Sequence, residues 1–297
     1  MEKGLTGTME HQQAIDSGFE NKVVAVCSAT GGMGRTTIAV NLAALAAKNK
    51  KKVTILDGDL QFGDAAMALD MKGENTIQHI VEKHDLANSQ NYCLKHESGV
   101  QLLAAPTRPE YADLITPDSL VRILKETASR AQLLLVDVQA GLTEHNIQLL
   151  EQVDRILVVT TPGMAALKNT KLMIETLDAL GWKDKASVIV NKSTGPTLMD
   201  VHDITELLQV EEAFYLPDED KHVPLAFDRG IPVVISHPKL PFSKELAKIN
   251  EHLFPPALSE TTEHITLSRR LIKKFKGLRG KDDEFISKTA IKTSRGS

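Results

Sequence analysis

At 297 residues the chain is long enough for one large α/β domain or two small ones, with a sizeable core in either case. It is 42% hydrophobic and 25% charged with only two cysteines, an ordinary globular composition that excludes a disulfide-framed module. The net charge of −4 hides an asymmetry: from Thr262 onward ten Lys/Arg face four Asp/Glu, so the preceding body is near −10 and ill suited to gripping nucleic acid through its phosphates.

Met1 to Asn21 is polar and aperiodic and reads as a flexible extension. It has no basic start followed by an apolar segment, and no apolar run in the chain approaches the ~20 residues that span a bilayer. The expected compartment is the cytoplasm.

The first patterned stretch runs from Val23 to Leu45. Val23 to Cys27 predicts a buried strand, Gly31-Gly32-Met33-Gly34 a turn, and Arg35-Thr36-Thr37 the start of an Ala/Leu-rich helix that fades at Lys48-Asn49-Lys50. Strand, glycine loop and helix in that order make a phosphate cradle. Backbone N–H groups converge on an anion and the helix N-terminus adds partial positive charge. A cation at position 35 can reach β- and γ-phosphates, and the Thr36 hydroxyl can ligate Mg2+. The standard pattern is not met, because Ala29 stands where the first Gly belongs and Arg35 replaces Lys. A bare turn without ligand would not require four small positions followed by Arg-Thr-Thr.

Val53 to Leu56 predicts a second buried strand ending in a loop Asp57-Gly58-Asp59, whose carboxylates can hold Mg2+ through water or orient an attacking water. Helical patterns follow at Thr76–Lys83 and Ser119–Ala128, with a short strand at Val100–Ala104 between them. Ala131 to Asp137 is a hydrophobic strand ending in an acid, the form of an element that completes a Mg2+ site. Further strands are expected at Arg155–Thr160 and Ser187–Val190, around a helix from about Met164 to Leu180 closed by Gly181. The last of these strands leads into Asn191-Lys192-Ser193-Thr194. Guanine needs a carboxylate for its N1–H and amine, and Thr194 has none, whereas an Asn amide can pair with adenine. Strand–helix alternation throughout predicts a doubly wound α/β fold with a mostly parallel sheet.

Pro255-Pro256 closes this body, giving an expected division into an extension 1–21, a domain 22–256 and a tail 257–297. Within the tail, Ala257–His264 reads as a linker and Thr266–Leu278 as a helix. Leu267, Leu271, Phe275 and Leu278 share one face with Ile272 at its margin; Arg269, Arg270, Lys273 and Lys276 lie on the other. Such a helix suits an anionic membrane surface, with Leu267, Leu271, Phe275 and Leu278 entering it and Arg270 and Lys274 meeting headgroups. Docking on its own domain and a disordered basic tail remain alternative readings. Lys281 to Ser297 is polar and reads as disordered.

The GGMG loop resembles the deviant P-loop of the ParA/MinD family, KGGxGK[ST]T, with Thr30 in place of the first Lys and Arg35 in place of the second. DGDLQFGDAAMALDM, from Asp57, resembles the switch I segment of its CpaE/TadZ branch. Val138 to Leu142 stands where the family has switch II, with Gly141 able to offer an N–H to the γ-phosphate. Phe214–Asp218 and AFDRGIPVVISHPKLPFSKEL resemble its closing strand, adenine-side loop and last helices. The resemblance covers roughly Lys22 to Leu253. It implies ATP and Mg2+ on Gly31, Gly32, Met33, Gly34, Arg35, Thr36 and Thr37, with Thr36 a direct metal ligand and Asp57 and Asp137 acting through water. Asp59 would position the attacking water with Arg35 as its catalytic partner, and Asn191 and Pro217 would frame adenine. It further implies an ATP-favoured homodimer at the inner face of the cell membrane, with protein partners from a Flp/Tad pilus machine; the acidic body and the apolar stripe of the tail argue against DNA as a partner. Slow hydrolysis or none is expected, because Thr30 cannot deliver a charge across the dimer. The rivals are a cycling ATPase of the MinD/FlhG type placing flagella or the division site, a nucleotide-independent scaffold, and a DNA-partitioning ATPase.

Overall fold

A computed structural model describes residues 22–49, 51–195 and 201–255. The expected extension 1–21 and the expected tail, with Leu267, Arg270, Leu271, Lys274, Phe275 and Leu278, lie outside the described residues. The strands are β1 (Lys22–Cys27), β2 (Val53–Gly58), β3 (Leu94–Lys95), β4 (Gln101–Leu103), β5 (Leu133–Val138), β6 (Arg155–Thr160), β7 (Ala186–Val190) and β8 (Ala213–Tyr215). Between and after them run α1 (Arg35–Lys48), α2 (Ile77–Glu82), α3 (Pro117–Ser129), α4 (Glu144–Glu151), α5 (Met164–Ala179), α6 (Val201–Leu208), α7 (His222–Asp228), α8 (Val233–Ser236) and α9 (Pro241–Leu253).

The strands form one sheet in the order β3-β4-β2-β5-β1-β6-β7-β8, parallel except where β3 pairs antiparallel with β4. Its inner strands read as near-continuous apolar runs because both faces are covered. Alternation decides which side chain goes where. Val24 and Val26 join the core under α1, α8 and α9, with Ile38, Leu42, Val233 and Leu246. Val23, Ala25 and Cys27 join the opposite core under α2 to α6, with Ile80, Ile123, Leu149, Leu177 and Ile204. This is the doubly wound architecture expected. β1 sits between β5 and β6, so the chain reverses its direction of travel around β1 and opens a crevice at the carboxyl ends of the strands there.

Two boundaries differ from expectation in a way that matters for the site. β2 extends through Asp57 to Gly58, and β5 extends through Asp137 to Val138, so Asp57 stands in register with Asp137 inside the sheet rather than in a loop. Ladder pairing with neighbours continues the strands past the apolar run. Helix α4 has no counterpart in the sequence reading: it is short and mostly polar, with Thr143 capping it by accepting from the Asn146 N–H. The two-residue strand β3 was equally illegible, since only its pairing with β4 defines it.

Candidate nucleotide site

The loop between β1 and α1 is held from below by its own chemistry. Gly34 caps α1 at φ 94°, a left-handed conformation that glycine adopts without strain, and a Cβ there would meet the Asn191 Nδ2 at 2.5 Å. A Cβ at Gly31 or Gly32 would meet nothing within 4 Å, so their backbone faces open space suited to an anion.

On one side of the loop lies a cleft of about 300 Å³. The sequence-predicted residues Gly32, Gly34, Thr37, Asn191 and Pro217 line it, joined by Asp218, Glu219, Val223, Phe227 and Phe242, which sequence reasoning did not assign to the site. These come from the β8–α7 loop, α7 and α9, far from the loop in sequence; Asp218, Phe227 and Phe242 fall in the segments that resemble the family's closing strand, adenine-side loop and last helices, but no local pattern marks these side chains as pocket-forming. The Asn191 amide does more than face the cleft: Nδ2 donates to the Met33 carbonyl at 3.0 Å and Oδ1 accepts from the Lys192 N–H at 3.0 Å. That leaves one N–H and one lone pair for a base. The Asn191–Gly195 turn is laced to the opposite wall, with Ser193 N–H donating to Leu216 O and Asp218 N–H to Thr194 Oγ1.

On the other side, at the ends of β2 and β5, are the acids. Thr36 Oγ1 donates to Asp137 Oδ2 at 2.6 Å. Asp137 is buried, its Oδ1 has no hydrogen-bond partner, and burial pushes its carboxyl up to about 6 against the pull of Thr36 and Arg35. Asp57 is wholly buried as well. Burial first, and the neighbouring Asp137 charge second, hold it well above the usual carboxylate range, although it accepts from the Ala65 and Asp59 N–H groups. Two buried acids and a hydroxyl with an orphaned oxygen among them are the donor set that a hard divalent cation satisfies. The residues present therefore fit Mg2+.

Arg35 and Asp59 are brought together rather than toward the cleft. The guanidinium donates from one nitrogen to the Val138 carbonyl and from the other to Asp59 Oδ2 at 3.3 Å, with the two side chains only 11% and 15% exposed. The Val138–Leu142 segment is pinned too. The Gly141 N–H donates to Ser28 O at 2.9 Å, and Asn146 Nδ2 donates to Gly141 O at 2.7 Å and Gln139 O at 2.9 Å. Asn146 was not singled out in the sequence, because its role depends on α4. Met33 and Gly31 complete the loop, but neither lines the cleft.

A glycine loop between the central strand and its helix, with acids at the ends of the adjoining strands, defines a P-loop NTPase. The profile of the ParA family, described as NUBPL iron-transfer P-loop NTPase, matches residues 20–254, and the chain belongs to that family. An uncharacterised ATP-binding protein of Methanocaldococcus jannaschii is 28% identical over 76% of this chain and 85% of its own length. The septum site-determining protein MinD of Thermotoga maritima is 25% identical over 86% and 96%. Among solved structures, MinD of Pyrococcus horikoshii complexed with Mg-ADP superposes with a TM-score of 0.71 at 20% identity, covering 79% of this chain and 96% of that one.

Proposed function

We propose that this chain is an ATP- and Mg2+-binding homodimeric landmark at the cytoplasmic face of the cell membrane, of the CpaE/TadZ branch, serving assembly of a Flp/Tad-type pilus with weak or absent hydrolysis. The observation that carries the nucleotide reading is the glycine loop flanked on one side by the Thr36–Asp137 hydrogen bond and on the other by the cleft lined by Gly32, Gly34, Thr37, Asn191 and Pro217. Thr36 would bind the metal directly, and Asp57 and Asp137 would hold its waters. The cation would supply charge neutralisation at the phosphates. Gly31 to Thr37 would orient the phosphates by backbone N–H groups, and Asn191 and Pro217 would frame the adenine. Asp59 would position the attacking water. Weak turnover is supported by Thr30, which carries no charge, and by Arg35, whose fork is already engaged by Asp59 and Val138.

The branch assignment rests on DGDLQFGDAAMALDM. Dimerisation through the loop face is supported by a shallow groove of about 250 Å³ beside the P-loop, lined by Ala29, Gly141, Leu142, Asn169 and Leu172, with Leu172 and Met164 more than half exposed. Among the described residues no helix is long and apolar enough to cross a membrane. The attachment reading rests on the basic, amphipathic sequence pattern of Thr266–Leu278, which lies outside the described residues.

The family description also names iron transfer. Iron–sulfur clusters are held by thiolates, and the chain has two cysteines, Cys27 and Cys93, whose thiols burial pushes up to about 12. Among the described residues no three His, Cys, Asp or Glu cluster to hold a metal. A nucleotide switch fits these residues better than a metal carrier.

The test is equilibrium binding of ATP and ADP with Mg2+, with phosphate release followed on the same sample with and without anionic liposomes. Tight ATP binding with negligible release is expected. Brisk liposome-stimulated release would replace the landmark with a cycling ATPase, and no binding would leave a scaffold.

A further inference from the structure

Arg35 is the first residue of α1, where the positive end of the helix dipole opposes a cation, and its side chain is largely buried. A guanidinium in that position must find acceptors, because an unpaired buried charge costs far more than any polar group. It finds two. One nitrogen donates to the carbonyl of Val138 at the end of β5, and the other to Asp59 Oδ2 at 3.3 Å. Asp59 is fixed in turn: its Oδ1 accepts from the Phe62 N–H at 3.3 Å and its own N–H donates to Asp57 Oδ1 at 3.3 Å. The Val138–Leu142 segment repeats the pattern, with the Gly141 N–H spent on Ser28 O and its carbonyl held by Asn146.

Both donors that face the terminal phosphate in the nucleotide reading, the Arg35 guanidinium and the Gly141 N–H, are thus already engaged by acceptors of the chain itself. The cleft beside Gly32, Gly34 and Asn191 is meanwhile open. We infer that Asp59 is an internal stand-in for the third phosphate of a nucleoside triphosphate, a latch on Arg35 that sets the preference between triphosphate and diphosphate. The inference rests on the nucleotide reading above and deepens it.

The physical argument is one of competition. A diphosphate bound through the cleft and the glycine loop leaves the Arg35–Asp59 pair closed. A triphosphate that takes the Arg35 N–H now given to Asp59 must displace that carboxylate, so this contact adds only the difference between two anions competing for it. The pair is sheltered from solvent, so the difference is not screened away as it would be for an exposed pair. Arginine suits the latch because its planar fork bonds two acceptors at once, Val138 O and Asp59, a geometry that a single ammonium on a flexible stem does not reproduce. Release of Asp59 by the third phosphate would also free that carboxylate for the water, so discrimination and positioning share one residue.

The experiment measures dissociation constants, by titration calorimetry with Mg2+ at fixed ionic strength, for ADP and a non-hydrolysable triphosphate analogue. The proteins are the full chain, Asp59→Asn, Asp64→Asn, Arg35→Lys and the Asp59→Asn/Arg35→Lys double variant. Asp64 is the control because its charge is felt by the same groups while it makes no bond to Arg35. Asp59→Asn is expected to tighten the triphosphate about tenfold, the scale of one charge-assisted hydrogen bond, with ADP changed by less than about threefold. Asp64→Asn is expected to leave the ratio of the two constants within about threefold. Arg35→Lys, which keeps the charge and loosens the latch, is expected to raise the triphosphate preference on its own, and carries the test should Asp59→Asn not fold. Adding Asp59→Asn to Arg35→Lys is expected to give less than its effect in the parent, since both act on one contact. Equal shifts for both nucleotides, the same change from Asp64→Asn, or full additivity would overturn the latch while leaving nucleotide binding intact. Binding of neither nucleotide by any of the proteins would bring down the nucleotide reading and the latch together.

Discussion

Asp57 and Asp137 stand in register across β2 and β5 with both carboxyls raised by burial, an arrangement that costs stability in the absence of a cation. Asp137 goes from 3.8 to about 6, so its protonation stabilises the folded chain fully below the ordinary carboxylate value, and that contribution is lost as pH rises through about 6. Asp137→Asn keeps an acceptor for the Thr36 hydroxyl and removes the buried charge. It is expected to stabilise the nucleotide-free protein by about 1–3 kcal/mol at pH 7 and to weaken Mg2+-dependent nucleotide binding, an exchange typical of functional sites. Thermal melts between pH 4 and pH 8 without Mg2+ check the sign: the wild type should fall relative to the variant across the interval from about 4 to 6 and run parallel above it. A variant less stable than the wild type at pH 7 would show that the acid pair is better satisfied than burial implies. The identities of these acids were legible in the sequence as residues closing apolar strands, and the family resemblance implied a shared metal; their direct register inside the sheet was not legible, because register is a property of two strands together.

At the scale of elements, the segment after β2 packs on the last helices, with Ala68 and Leu69 in one core with Ala226 and Val233, and one backbone approach between them is very close. The turn that follows Met67–Leu69 ends at Asp70 (φ 44°), and Gly230, just after α7, has φ 64° with its Cα facing that turn. A Cβ at Gly230 would lie 2.7 Å from the Asp70 Cα and nearer still to its backbone nitrogen, so main chain, which cannot yield as a side chain can, blocks it. Gly230→Ala is expected to cost about 2–3 kcal/mol in urea unfolding and to weaken nucleotide binding, since α7 carries Phe227 of the cleft wall. Unchanged stability would mean that the two turns separate freely. Nothing in the sequence ties residue 230 to residue 70, because that contact exists only once the two turns are folded together. Helix α4 is the same lesson in reverse. Its short polar face offers little periodicity, yet it supplies Asn146 to fasten Gly141.

At the scale of the whole molecule, charge is divided between an acidic body and a basic tail, and the tail lies outside the described residues. Each basic residue near anionic lipid contributes about 1 kcal/mol, and two tails on a dimer bind far better than one. Flotation with vesicles containing phosphatidylglycerol is therefore expected to retain the full chain in the presence of a triphosphate analogue and to lose Leu271→Glu and Phe275→Glu, with nucleotide binding unaltered. Retention of both variants would leave only electrostatics or the body to explain attachment.

Read alone, the sequence determined the α/β class, the order of the inner strands along the chain, the glycine loop and the acids that follow it. All of these depend on local pattern: apolar runs, breakers, and a loop whose residues are contiguous. Only the tertiary structure decided that Asp57 lies within the sheet beside Asp137, that Asn191 fastens the loop at Met33, and that Phe227 and Phe242 wall the cleft. It also decided that Arg35 faces Asp59. The physical reason is common to all four. An acceptor for a buried donor, or a wall for a cleft, is chosen by what the fold brings near, and residues 24 or 158 positions apart leave no mark on one another's neighbourhood in the chain.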